Sequence, residues 1–126
     1  MKFQPDTFAG SNAITRHEAG AVWVNGRRFE GSLLVPSRGD VHAWPVSGPD
    51  MLEPAHFEQI LALEPELVIF GSGARLRFVS PTLYRALIDA RIGLETMDSA
   101  AACRTYNVLA AEGRSVLAAL LTTAAA

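Results

Sequence analysis

Cys103, Arg104, Tyr106 and Asn107 crowd the start of one helix-like run that follows a strand-like segment, and a glycine turn, Gly71-Ser72-Gly73, closes another such segment. These are the residues able to do chemistry. A thiol near a helix start feels the positive end of the helix dipole, which lowers its pKa, and Arg104 beside it acts in the same direction, so Cys103 is a candidate reactive thiol. Against this, Cys103, Tyr106 and Ala110 recur at i, i+3 and i+7, the stripe of a packed face, and a lone cysteine among alanines commonly serves as a small buried hydrophobe. Arg104 and Asn107, three apart on an adjoining face, would suit an anion or a carboxylate. The plainer reading pairs Arg104 with a local acid and has Asn107 satisfy loop backbone.

The glycine turn invites a dinucleotide reading, but G-x-G-x-x-G needs a third glycine where this chain has Leu76. Arg75 to Val79 alternate polar and apolar, and no helix opens before Pro81, so the helix N–H groups that hold a phosphate are missing directly after the turn. No lysine follows, which excludes a P-loop. Gly71-Ser72-Gly73 therefore reads first as a tight turn that brings backbones close. Ser72 lacks a G-x-S-x-G elbow. His17, His42 and His56 are far apart and lack ligand spacing, so no metal is expected, and no cofactor either. The binding candidates are Gly71, Ser72, Gly73, Arg104 and Asn107. Both segments begin at strand ends, where parallel sheets bind ligands, so the two are expected to touch, with Arg104 facing the glycine turn.

The elements that must position these residues change character near residue 50. Before it, Ile14–Glu18, Ala21–Asn25 and Arg27–Glu30 read as short strands, with Asn25-Gly26 a type I′ hairpin signal. Leu33–Val35, closed by Pro36, and Val41–Trp44, closed by Pro45, are two more, and together they argue for an antiparallel sheet. After it, helices and strands alternate. Pro54 opens a helix with Phe57, Ile60, Leu61 and Leu63 on its apolar face, and Pro65 stops it. Leu67–Phe70 is a continuous apolar run, as expected of a strand covered on both faces. Ser80-Pro81 caps a second helix with a Leu83, Tyr84, Leu87, Ile88 core stripe and Gly93 as its C′ residue. Leu94–Met97 is the next strand. Asp98 or Ser99 caps a helix to about Ala111, ended by Gly113. Ser115–Leu121 is ambiguous by itself, but the right-handed crossover rule makes it the last parallel strand. The alanine tail at 124–126 is expected to fray.

The chain has 126 residues, 49% of them hydrophobic and 19% charged, which suits one domain over 1–126. Its net charge is −2 and its arginines are scattered, with Arg27-Arg28 the only adjacent pair, so nucleic acid is not expected as a partner. One cysteine makes no internal disulfide and fits a reducing compartment. Met1–Asp6 has no apolar run and the longest apolar stretch is too short to span a bilayer, so the expectation is a soluble, cytoplasmic protein without membrane insertion.

Pro65–Gly73, Met97–Leu109 and the following Glu112-Gly113-Arg114 resemble a known family, the small Mth-type domain of unknown function, which includes mitochondrial complex I assembly factor 3 and the adipogenesis-associated Mth-domain protein. The similarity runs from Ile14 to Leu121, and Asp98–Asn107 is its specific part. Ser72 stands where threonine is common, and Asp98-Ser99 where Asp-Thr is common. Both changes keep the hydroxyl. The resemblance implies a mixed α/β, three-layer β plus β/α domain, an antiparallel N-terminal half packed with a parallel βαβαβ-like C-terminal half. It implies protein contacts in complex assembly and names no catalytic residue. The functional expectation is a non-enzymatic interaction or assembly module with another protein as partner. The alternative is an anion- or small-molecule-binding protein or enzyme with a pocket between Gly71–Gly73 and the Cys103–Asn107 helix start. A concave pocket there favours the alternative, and a flat exposed apolar patch favours the module.

Overall fold

The computed structural model describes residues 11–122, so the alanine tail and the Met1–Asp6 opening lie outside the described residues. Strands β1 (Ile14–Glu18), β2 (Ala21–Val24) and β3 (Arg27–Glu30) form a three-stranded antiparallel sheet. The hairpin between β2 and β3 turns on Asn25 and Gly26, with φ of 53° and 84°, as the type I′ signal requires. The chain continues through β4 (Leu33–Pro36), β5 (His42–Ala43), α1 (Pro54–Leu61), β6 (Leu67–Gly71), α2 (Arg85–Asp89), β7 (Gly93–Met97), α3 (Ser99–Ala111) and β8 (Val116–Leu120).

The second sheet has five strands in the order β5-β4-β8-β6-β7. β6 is parallel to β7 and β8, whereas β4 is antiparallel to β8 and β5. The antiparallel and parallel parts are thus joined through β8, which is buried along its whole length. β6 steps outward to β7, and β7 then steps back past β6 to β8. Two right-handed crossovers in opposite directions must lie on opposite faces of the sheet. Accordingly Leu87 of α2 packs with Val68, Phe70 and Leu117 on one face, together with Phe57 and Ile60 of α1. Ala102, Cys103 and Tyr106 of α3 pack with Ile69, Ala118 and Leu120 on the other, where Ile14, Val22 and Val24 of the small sheet close the core.

The second helix departs from expectation. Ser80-Pro81 does not open it. Instead Leu83 N–H donates to Ser80 O and Tyr84 N–H to Pro81 O, i+3 turns, while the Ser80 hydroxyl accepts from Thr82 N–H at 3.3 Å. A serine side chain bonding backbone two residues on competes with helix, and α2 begins only at Arg85. Leu83 and Tyr84 remain partly buried, but Ile88 is 49% exposed rather than core. Gly93 is not a helix cap but the first residue of β7, where a Cβ would come within 3.1 Å of Leu67 Cδ1. The left-handed residue after α2 is Arg91, with φ of 60°.

Candidate functional site

The carboxyl ends of β6, β7 and β8 meet at the glycine turn. Ser72 N–H donates to Met97 O at 2.9 Å, and Leu121 N–H to Gly71 O at 2.9 Å. Ser99, at the first position of α3, donates its N–H to Gly73 O at 2.8 Å, while its hydroxyl accepts from Gly73 N–H at 2.9 Å and donates to Leu121 O at 2.8 Å. The turn therefore touches the α3 start, as expected, but its amides are spent on the chain itself, and Ser99 fills the place where a phosphate would need donors. Ser99 was legible only as an alternative cap. The side chain that caps α3 belongs to Asp98, whose Oδ1 accepts from Ala101 N–H at 2.8 Å.

Ser72 is buried and its hydroxyl works outward along the chain. It donates to Arg75 O at 2.6 Å, with Met97 O also within reach, and accepts from Arg77 N–H at 2.9 Å. Arg77 Nη2 bonds Asp50 Oδ1 at 2.8 Å. The Ser72 bonds hold a loop on which Leu76 is 53% and Phe78 77% exposed. In the sequence, this segment shows only a polar–apolar alternation. Alternation signals a face but not which face meets water.

The other candidates lie elsewhere. Arg104 is five residues beyond Ser99, about 140° around the helix, and it turns to β1 instead of the glycine turn. With Cys103, Asn107, Thr15, Arg16 and His17 it lines a depression of about 270 Å3 to which no glycine of the turn contributes. Asn107 is committed to backbone, its Oδ1 accepting from Ile14 N–H and its Nδ2 donating to Ile14 O, each at 2.8 Å. Tyr106 hydroxyl reaches Asn12 O at 2.9 Å and Pro36 O at 3.1 Å. The structure thus divides the candidates into two places, Gly71, Ser72 and Gly73 in one, Cys103, Arg104 and Asn107 in the other.

Electrostatics do not activate the thiol. Burial pushes Cys103 up to about 11, and the opposing pull of Arg104 is the smaller effect. Burial likewise raises Tyr106. His17 is lowered by burial, partly offset by the carboxylate of Asp98. Among the described residues, no group of three His, Cys, Asp or Glu side chains could hold a metal ion, and no helix is long and apolar enough to cross a membrane.

Comparison with known proteins adds what geometry does not. The chain is 36% identical over 101 residues to NADH dehydrogenase (ubiquinone) 1 alpha subcomplex assembly factor 3 of Bos taurus, covering 78% of this chain and 54% of that protein, so it spans about half the bovine relative's length. It is 34% identical over 114 residues to an uncharacterized protein of Rhodobacter capsulatus, covering 90% of this chain and 87% of that one. A crystal structure of a Bordetella parapertussis protein superposes with a TM-score of 0.84 at 37% identity, covering 90% of this chain and 97% of that one. A solution structure of a Mth938-like domain from Bordetella pertussis gives 0.84 at 30% identity over 98% and 94% of the two chains. Matched from residue 14 to residue 121, through both sheets and all three helices, the chain belongs to the DUF498/DUF598 family, proteins of unknown function with the Mth938-like fold.

Proposed function

We propose that this chain is a non-enzymatic protein-interaction module that supports assembly of respiratory complex I, the role that its bovine relative's name states for that protein. The observation that carries this reading is the exposed apolar loop. Leu76 and Phe78 stand in water on a backbone anchored to the buried Ser72, whereas the glycine turn holds no open cradle. A fixed, exposed apolar feature is what a protein contact uses. The single cysteine, buried and protonated at neutral pH, suits a reducing compartment such as the cytoplasm.

The test is genetic and biochemical. Deleting the gene in its source organism should lower the amount of fully assembled complex I on native gels and leave smaller subassemblies. The wild-type chain should restore it, and a Leu76→Ser, Phe78→Ser double variant should not. Unchanged complex I in the deletion strain would refute the reading.

A further inference from the structure

We infer that the depression between β1 and the first turns of α3 is a binding site for a small oxyanion, a carboxylate or a phosphate, held by the guanidinium of Arg104 and the imidazole of His17. The inference stands apart from the interaction-module reading and does not rest on it.

The polar groups left free in the walls select the ligand. Asn107 spends both its Oδ1 and its Nδ2 on Ile14. The Thr15 hydroxyl accepts from Gly26 N–H at 3.1 Å and reaches Trp23 O at 3.4 Å. Arg16 is paired with Glu18 and lies over the Trp23 ring, 4.7 Å from its centroid. Arg104 and His17 differ from these, for among the described residues neither has an ion-pair or hydrogen-bond partner. A guanidinium has five N–H donors and no acceptor, and an imidazole keeps at least one N–H donor in either protonation state. Cys103 holds its proton at neutral pH, so its thiol brings no negative charge to the wall. Donors therefore dominate what the depression has left to offer, and an ionised oxygen is their complement.

Charge and size agree with this. Among the described residues no carboxylate lines the depression, while Arg16, His17 and Arg104 do. Glu18 is spent on Arg16, and Asp98, the carboxylate felt by His17, spends Oδ1 on the α3 cap. The helix end is thus already answered by Asp98, and the site is the wall between Arg104 and β1 rather than the α3 N-terminus. Its volume of about 270 Å3 lies below the roughly 300–1,000 Å3 of sites that enclose drug-sized ligands, which suits a single anionic group and not a nucleotide. A guanidinium forks on carboxylate and phosphate oxygens alike, so the two share one chemistry here.

The test titrates the full chain with sodium phosphate and, separately, with sodium acetate, followed by NMR, with a sodium chloride titration of matched ionic strength as the control. Amide shifts should saturate and centre on residues 15–17 and 100–104. The His17 ring should titrate at higher pH with the anion bound, because a nearby negative charge favours the imidazolium. The other charged and titratable groups around that ring are Arg16 and Glu18 on β1 and Asp98, Cys103 and Arg104 at the start of α3, whereas its partner on β2 is the apolar Val22. Arg104→Ala should weaken binding at least about tenfold, and Arg104→Lys, which keeps the charge but not the planar fork, should recover only part of the loss. Arg104 is exposed, so both variants should keep the wild-type circular dichroism spectrum. Saturation by phosphate alone or by acetate alone keeps the site and names its anion. Shifts that chloride reproduces would mean screening rather than a site and would overturn the proposal. So would binding that ignores Arg104→Ala, shifts centred elsewhere, an unmoved His17 midpoint, or no saturable shift with either anion.

Discussion

Ser99 occupies the space that a side chain at Gly71 would need. A Cβ on Gly71 would lie 2.8 Å from Ser99 Oγ, 2.9 Å from Ser99 Cα and 3.0 Å from Leu120 Cδ2. Because one of these atoms is backbone, rotamer changes cannot make room. The end of β6 and the start of α3 are locked together through this approach and through the two hydrogen bonds of the Ser99 hydroxyl.

Gly71→Ala should therefore cost about 1–3 kcal/mol, the range of overpacking in a closed core. Ser99→Ala should cost a similar amount for another reason, leaving Gly73 N–H and Leu121 C=O buried without a partner. Urea denaturation of both variants checks this. A cost near zero for Ser99→Ala would mean that the hydroxyl does not close the turn.

The Asn107 carboxamide acts as a substitute strand for the edge of β1. Asn107→Ala should destabilise by about 1–3 kcal/mol. Asn107→Asp should be at least as harmful at neutral pH, because a carboxylate cannot donate to Ile14 O and meets it with charge. Hydrogen exchange at the Ile14 amide should accelerate in both variants. Wild-type protection in Asn107→Ala would show that another group holds β1.

Cys103 should react slowly with thiol reagents near neutral pH. Its pKa is raised from the ordinary 9.0 to about 11, so the fold favours the protonated thiol over the thiolate. The resulting stability is fully present below pH 9, where folded and unfolded chains are both protonated, and is lost as pH rises toward 11. The raised Tyr106 phenol acts in the same direction at higher pH. Stability of Cys103→Ala should fall less steeply between pH 9 and 11 than that of the wild type. Rapid labelling at pH 7 would contradict this assignment.

His17 is lowered, so its share runs the other way. The stability contributed by keeping it neutral is present above its ordinary 6.5 and is lost as pH falls from there through the lowered folded-state pKa, because the unfolded chain takes up its proton first. Asp98 opposes the lowering. Asp98→Asn retains a side-chain oxygen able to cap α3 but removes the charge, so the His17 titration followed by NMR should move to still lower pH. An unmoved midpoint would mean that Asp98 does not act on His17.

Local chemistry alone determined much of this molecule. The Asn25-Gly26 hairpin, the Pro54 helix start, the Leu67–Phe70 strand and the Asp98-capped helix formed where the sequence put them, because each depends on residues within a few positions of one another. The second helix start failed for an equally local reason, since Ser80 had two turn geometries open and its hydroxyl found Thr82. What only the tertiary structure decided is which surfaces meet. Arg104 and Asn107 share a helix with Ser99, yet the placement of α3 between the two sheets turns Ser99 to the glycine turn and Asn107 to Ile14, 93 residues away. Leu76 and Phe78 carry the same alternation as a half-buried strand, yet they lie in water on a loop whose backbone is bonded to the buried Ser72. Burial depends on contacts between distant parts of the chain, and short-range periodicity carries no record of those partners.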